Sequence, residues 1–445
     1  MAWFSAIAVF FVGSVLVVLR ASRYRDTEGV WLIGSWVAHL VALYLQFWII
    51  RQIYGNGDAL GYFRQAALLS DLLSTEWVSY LPELVNLLLQ RTANLPLTIL
   101  GAGSPSGSMA AVVAFLVLLV GRDATAVTMA VTLGATFGNM WLYDAFREAM
   151  PQVDRRRLLW ATCLIPSVVF WSSSLLKEAV VLTFLGPLIL STGRLFRRQF
   201  SAAFWVALCL SMIGLIKPYI LLAYLLGAGA WLYWQVALAR DGEVTIRPIW
   251  ALLATTLAIG GVVALGRLFP AFAADQVMDS VLSEQAVGQR FINEGSGFQL
   301  GGGSDGSLVG QLILVPIALI NAWFRPSLFD ARNAQMLINA LETTAFLALF
   351  ADRLWRLGPR AMWRQVAREP ILVFSLVFAV CLGVGVGLTT SNFGTLSRYR
   401  MPLVPFLAAL VAVLMPVPTR RVTPRGAVAG DRRVASTAVQ RTTVG

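Results

Sequence analysis

The stretch Pro166–Leu182, PSVVFWSSSLLKEAVVL, sets a Lys–Glu pair, Lys177 and Glu178, inside an apolar run. Three serines, Ser172–Ser174, precede the pair. The length and polarity of the flanking sequence predict two membrane-spanning helices that meet at a tight turn, with both charges within a turn of a membrane surface. Charges there either snorkel to water along their aliphatic stems or serve a function, because leaving them in hydrocarbon is costly. The remainder of the chain decides which surface they occupy.

Of the 445 residues, 58% are hydrophobic and 13% charged, and the mean hydropathy is +0.71. A soluble domain carries about 25% charged residues, so this composition is that of an integral membrane protein. Apolar runs of about 17–21 residues recur along the chain, each long enough to cross roughly 30 Å of hydrocarbon as a helix. The fold class expected is therefore all-α, a polytopic transmembrane helix bundle. The net charge of +12 is assigned to basic loops facing the cytoplasm, with no nucleic-acid partner. Cys163, Cys209 and Cys381 are scattered within apolar spans, and His39 is the single histidine. That distribution argues against a disulfide framework, a metal site or a histidine triad, and no cofactor is expected.

Arginine placement fixes the threading. The clusters Arg20/Arg23/Arg25, Arg155–Arg157, Arg194/Arg197/Arg198, Arg353 to Arg368 and the tail arginines are placed on the cytoplasmic side. About eleven spans satisfy them: 3–19, 30–50, 124–143, 158–173, 175–193, 200–216, 219–239, 249–266, 334–351, 370–388 and 402–418. The first is read as a retained span rather than a cleaved leader. The N-terminus is then outside, and residues 419–445 form a disordered basic cytoplasmic tail after a helical domain of 1–418. This threading puts 23 of the 35 basic residues inside, in short loops and the tail. Two shorter apolar segments, 109–120 and 308–324, would invert the basic loops if they crossed. They are expected to be interfacial or re-entrant helices on the outer face. Large outer segments follow at about 51–123 and 267–333. The second holds a flexible glycine-rich loop, Gly295–Ser307, with neither the strand before it nor the Gly-Lys-Ser/Thr after it that a phosphate cradle needs.

The outer face then collects Asp58, Lys177, Glu178, Lys217, Arg325, Asp330, Arg332, Arg398 and Arg400. Both lysines of the chain are among them. Basic groups on that face, against the positive-inside tendency, suggest an anionic headgroup such as phosphate or pyrophosphate. A carboxylate among them suits a general base acting on a hydroxyl. Two structural alternatives stand beside this: snorkelling at Lys177, and capping by Asp58 of a helix that starts at Ala59.

Several motifs carry a resemblance. GDALGYF (Gly57–Phe63) looks like the Asp-x-x-x-Tyr pattern in the first outer loop of GT-C glycosyltransferases. LLVGRDATAV (Leu118–Val127) is similar to a junction before a span in that class. SRYRMPLVPFLAAL (Ser397–Leu410) resembles the entry to a late span in the same enzymes and in bacterial exopolysaccharide proteins. FWSSSLLKEA (Phe170–Ala179) and FRPSLFDARN (Phe324–Asn333) look like envelope proteins associated with polysaccharide polymerisation. The chain departs from the GT-C pattern in carrying Asp58-Ala59 where many members have two adjacent acids. The resemblance implies a multi-pass protein of the bacterial cytoplasmic membrane whose active face is extracytoplasmic. It would transfer or polymerise sugars from a polyprenyl-phosphate or polyprenyl-pyrophosphate donor onto a glycan acceptor. Asp58 and Glu178 would be catalytic; Tyr62, Lys177, Lys217, Arg325, Arg332, Arg398 and Arg400 would bind substrate. The expected arrangement has Lys177, Arg398 and Arg400 on the donor phosphate, with Glu178 orienting Lys177 or binding a sugar hydroxyl. The alternatives are a lipid-linked glycan flippase, which should show charges at mid-membrane as at Glu342 and an internal repeat, and a non-catalytic subunit of an assembly system.

Overall fold

The computed structural model describes residues 2–54, 57–242 and 308–414, with scattered positions between 256 and 300. The expected span 249–266, most of the Gly295–Ser307 loop and the 419–445 tail lie outside the described residues. The described chain is helical, and its extended pairing is an isolated bridge between Gly297 and Asn392.

The first half comprises α1 (Ala2–Ala21), α2 (Asp26–Ile49), α3 (Asp58–Thr75), α4 (Trp77–Leu88), α5 (Pro105–Val120), α6 (Ala124–Ala149), α7 (Arg155–Cys163), α8 (Pro166–Ser172) and α9 (Lys177–Phe196). There follow α10 (Ala202–Ile216), α11 (Tyr219–Asp241), α12 (Leu308–Phe324), α13 (Ala334–Ala367), α14 (Pro370–Thr389), α15 (Phe393–Tyr399) and α16 (Val404–Leu414). Starts fall where the sequence supplies caps. Asp123, Asp154, Asn333 and Asn392 accept backbone N–H bonds at the first turns of α6, α7, α13 and α15. Such side-chain acceptors satisfy donors that a helix N-terminus leaves without partners.

By length and composition, five described helices suit a membrane span, within α1, α2, α9, α11 and α14. The number rises to seven if two bent pairs each count as one. One pair is α5 with α6, bent by 109°; the other is α15 with the segment through α16, bent by 41°. The expected span 158–173 is broken into two short helices. Pro166 lacks the N–H that would continue the ladder, and Ile165 before it is extended (φ −63°, ψ 124°). The span expected at 334–351 lies within the longer α13, kinked at Gly358 (φ 73°) next to Pro359.

The segment 109–120 lies in α5, which turns sharply away from α6. It is not laid open to lipid, however, because Met109, Ala110, Ala111, Val113 and Ala114 are fully buried, with α3 and α4 packed against it. The segment 308–324 forms α12, whose Val309, Leu312, Ile313 and Ile320 are exposed while Ala318, Asn321 and Ala322 are buried.

The tightest packing joins α6 and α9, which run in the same direction from Gly134 beside Thr183 to Glu148 beside Arg194. A Cβ at Gly138 would sit 2.1 Å from the Leu182 carbonyl oxygen, and one at Gly186 would sit 1.8 Å from that of Gly138. Only glycine at both positions lets the backbones approach so closely, as small residues do between membrane helices. Around this pair Phe146, Phe374, Phe378 and Phe406 form a cluster with centroids 4.8–6.0 Å apart. It ties α6, α14 and α16 together. The two ends of the α6–α9 pair are the two polar ends of the described structure.

Candidate functional site

The Ser172–Ser174 turn ends α8, and α9 begins with Lys177 and Glu178 as its first two residues. Successive helical residues point about 100° apart, so the pair diverges. Glu178 turns inward and is fully buried. Its Oε1 accepts from Lys217 Nζ at 2.6 Å and from Arg398 Nε at 3.0 Å. Lys217 follows α10 just before Pro218, with a backbone (φ −149°, ψ 76°) outside the helical region that a residue before proline avoids. This turns its ammonium towards α9, over the Tyr399 ring at 4.2 Å. Arg398, on α15, reaches past Glu178 and donates from Nη1 to Asp58 Oδ2 at 2.7 Å. Two carboxylates and two cations, from α3, α9, the α10–α11 turn and α15, thus form one ion-pair network.

Lys177 faces the other way. Its Nζ donates to Ser106 Oγ at 2.8 Å, on the first turn of α5, and lies 5.9 Å from the Tyr62 ring centroid. Ser106 also hydrogen-bonds the Tyr62 phenol; burial raises that phenol's pKa, which keeps it protonated at neutral pH. Lys177 remains within electrostatic reach of Asp58, Glu178, Lys217 and Arg398. Asp58 keeps about half of its side chain exposed (53%), whereas Arg398 is 18% exposed. A narrow, mainly apolar slot with room for about 10 Å³ starts at Ala59, next to Asp58, lined also by Leu43, Phe47 and Phe63 and by the Ser173–Leu175 turn.

Six expected site residues therefore come together: Asp58, Tyr62, Lys177, Glu178, Lys217 and Arg398. The pairing inside the group differs from expectation. Glu178 holds Lys217 and Arg398 rather than its sequence neighbour Lys177. Asp58 is the first helical residue of α3 and makes no capping bond, so its carboxylate is spent on Arg398.

The remaining three residues lie apart from the network. Arg400 is 1% exposed and donates to the backbone carbonyls of Arg325 and Ala322, at the end of α12. Positions 398 and 400 are about 200° apart around a helix, so they cannot serve one pocket. The expected grouping of Arg400 with Lys177 is thus replaced by a structural contact. Arg325 pairs with Asp330 at 2.6 Å and lies beside the stacked Phe298 and Phe393 rings, 4.9 and 5.2 Å from their centroids. Burial opposes ionisation of Asp330, but bonds from Arg325 and Ser327 outweigh it and hold the carboxyl below its ordinary value. Arg332 is exposed. Glu342, the mid-span charge, accepts from the Ser167 backbone N–H at 2.8 Å and from its hydroxyl at 2.5 Å, at the start of α8. Sequence reasoning missed Ser106 and Tyr399. Tyr399 stood inside the SRYRMP motif, whereas nothing in the sequence around Ser106 marks it. Among the described residues, no group of three or more His, Cys, Asp or Glu residues is placed to hold a metal ion. No family model matches the chain, and neither a curated protein nor a solved structure matches it.

Proposed function

We propose that the chain is an enzyme that transfers or polymerises sugars from a polyprenyl-phosphate or polyprenyl-pyrophosphate donor at the outer face of a bacterial cytoplasmic membrane. The single observation that carries this reading is the Asp58–Arg398–Glu178–Lys217 network beside Lys177. A half-exposed carboxylate stands there next to more positive charge than the described residues neutralise. In this reading the donor's phosphate competes for Arg398 and is also met by Lys177. Drawing Arg398 away releases Asp58, which takes the proton from an acceptor hydroxyl. The acceptor oxygen bonds to the anomeric carbon as the bond from that carbon to the phosphate oxygen breaks. The phosphate leaves with the electron pair, stabilised by the two cations. Glu178 is too enclosed to collect a proton from solvent, and its part is to hold Lys217 and Arg398 in place. The apolar slot at Ala59 and Leu175 is where a prenyl chain would enter once α2 and α3 part.

The eleven-span threading, with the network outside and the arginine-rich end inside, belongs to the same proposal and rests on the positive-inside bias. Glu342 weighs against a flippase, because its charge is satisfied by the start of α8 rather than facing a path. The test is turnover of a polyprenyl-phosphate-linked or polyprenyl-pyrophosphate-linked sugar by the reconstituted protein. Asp58→Asn should lower turnover by at least about 100-fold, the usual span of a lost general base, while donor binding persists. Near-normal turnover in that variant removes Asp58 from the mechanism.

A further inference from the structure

The opposite end of the α6–α9 pair holds a second polar assembly, unrelated to the proposed transfer site. There the ends of α1, α6 and α9 meet the start of α7 around a cavity of about 380 Å³. Its charged lining consists of Arg20, Arg23, Arg147, Arg155 and Arg194 against two carboxylates, Asp144 and Glu148. A neighbouring cavity of about 320 Å³ shares Arg155 and adds Arg25 and Arg156 against Glu28 and Asp154.

Both carboxylates are already engaged. Asp144 accepts from Arg20 and, at 2.9 Å, from the Tyr24 phenol. Glu148 pairs with Arg194 at 2.6 Å and with Arg197 at 2.5 Å. Arg147 reaches Glu28 and Asp144 only at 3.8 and 3.9 Å, and Glu28 also accepts from Tyr143 at 2.7 Å. Among the described residues, neither Arg23 nor Arg155 has a carboxylate within ion-pair distance. Arg20, Arg147 and Arg194 each sit in the last turn of a helix, where a cation complements the helix dipole. Among the described residues Arg23 and Arg155 have no such partner; Arg155 opens α7, whose N-terminus the Asp154 carboxylate already caps. The cavity therefore carries a surplus of positive charge that the described residues do not neutralise.

We propose that this cavity binds a phosphate-bearing anion, and that the anion is the headgroup of an acidic phospholipid. The apolar surface leading to the cavity selects the lipid source. Phe11, Val15 and Leu19, spaced four apart on α1, are each more than half exposed and lead up to Arg20 and Arg23. Trp31, also exposed, stands on the wall of the adjoining cavity. A headgroup among the arginines would lay its acyl chains along that stripe. Basic pockets between membrane helices recognise acidic headgroups in this way.

The test uses the full chain purified in a neutral maltoside detergent, with binding read by native mass spectrometry and by the shift in unfolding temperature. The probes are diphosphatidylglycerol, phosphatidylcholine and inorganic pyrophosphate. Diphosphatidylglycerol should bind and raise the unfolding temperature, while phosphatidylcholine does neither. Arg23→Gln with Arg155→Gln should weaken diphosphatidylglycerol binding by about tenfold or more, since charge-assisted contacts are lost. Arg23→Gln alone, at an exposed loop position, should weaken it about threefold and serves if the double variant does not fold. Pyrophosphate bound by the same arginines without any lipid preference would keep the phosphate site and assign it to a soluble anion. Equal binding of phosphatidylcholine and diphosphatidylglycerol, or unchanged binding in Arg23→Gln, overturns the proposal. Sugar transfer is not read in any arm, so this outcome is independent of the proposed activity.

Discussion

Arg398 donates to Asp58 at 2.7 Å across 340 positions of sequence, and the same guanidinium donates to Glu178 at 3.0 Å. One arginine on the short helix α15 thereby ties the first turn of α3 to the first turn of α9. The two carboxylates it joins differ in burial, half-exposed at Asp58 and enclosed at Glu178. They should accordingly answer differently to substitution.

Glu178→Ala should be the most damaging change in the network. It leaves Lys217 as an enclosed cation without its carboxylate and Arg398 with Asp58 alone, and breaking a buried pair from one side costs about 3–5 kcal/mol. Adding Lys217→Met should recover part of that loss, because an apolar side chain of similar length needs no partner. Thermal unfolding of the single and double variants in detergent measures the coupling. Strictly additive losses would mean that the 2.6 Å contact contributes nothing beyond packing.

Lys177 separates anchoring from ligand binding. A snorkelling lysine tolerates arginine, since both side chains reach the interface. In the proposed phosphate site the compact ammonium, set between Ser106 and Tyr62, is not replaceable by a planar fork, and Lys177→Arg should lower turnover. Lys177→Ala should weaken donor binding by about 1.5–3 kcal/mol, the worth of one charge-assisted contact. Unchanged donor affinity in a folded Ala variant would leave Lys177 as an anchor only.

The α6–α9 crossing should tolerate no side chain. At Gly186 a methyl group would lie 1.8 Å from a backbone oxygen of α6, and backbone cannot move aside as a flexible side chain can. Gly186→Ala should cost more than about 2 kcal/mol, at the upper end of ordinary overpacking. Gly229, whose Cβ would meet nothing within 4 Å, is the control and should accept alanine without loss. Similar unfolding temperatures for the two variants would show that the helices are not as close as described.

Topology is accessible to cysteine labelling. Thr75→Cys, at the exposed end of α3, should react with an impermeant reagent added outside, and Arg360→Cys, in the arginine-rich half of α13, should not. Labelling of both from one side would reverse the assignment of the two polar ends.

The helical class, the membrane character and the positions of the helices long and apolar enough to span a membrane, within α1, α2, α9, α11 and α14, were legible in the sequence. They depend on local quantities: the length of an apolar run and the caps and prolines at its ends. The charges at 177, 178 and 217 were legible for the same reason, since each interrupts an apolar run, and those at 58 and 398 from the motifs that hold them. Which charges meet was not legible. Adjacent helical residues point about 100° apart, so the Lys177–Glu178 pair that stands out in the sequence splits in the fold. Glu178 finds Lys217 and Arg398, Lys177 finds Ser106, and Arg400 leaves its neighbour Arg398 for the carbonyls ending α12. Those partners come from other helices, and their approach is set by the Gly138–Gly186 crossing and the kinks at Pro166 and Pro218. Periodicity within one helix fixes a face; only the packing of all of them decides what that face meets.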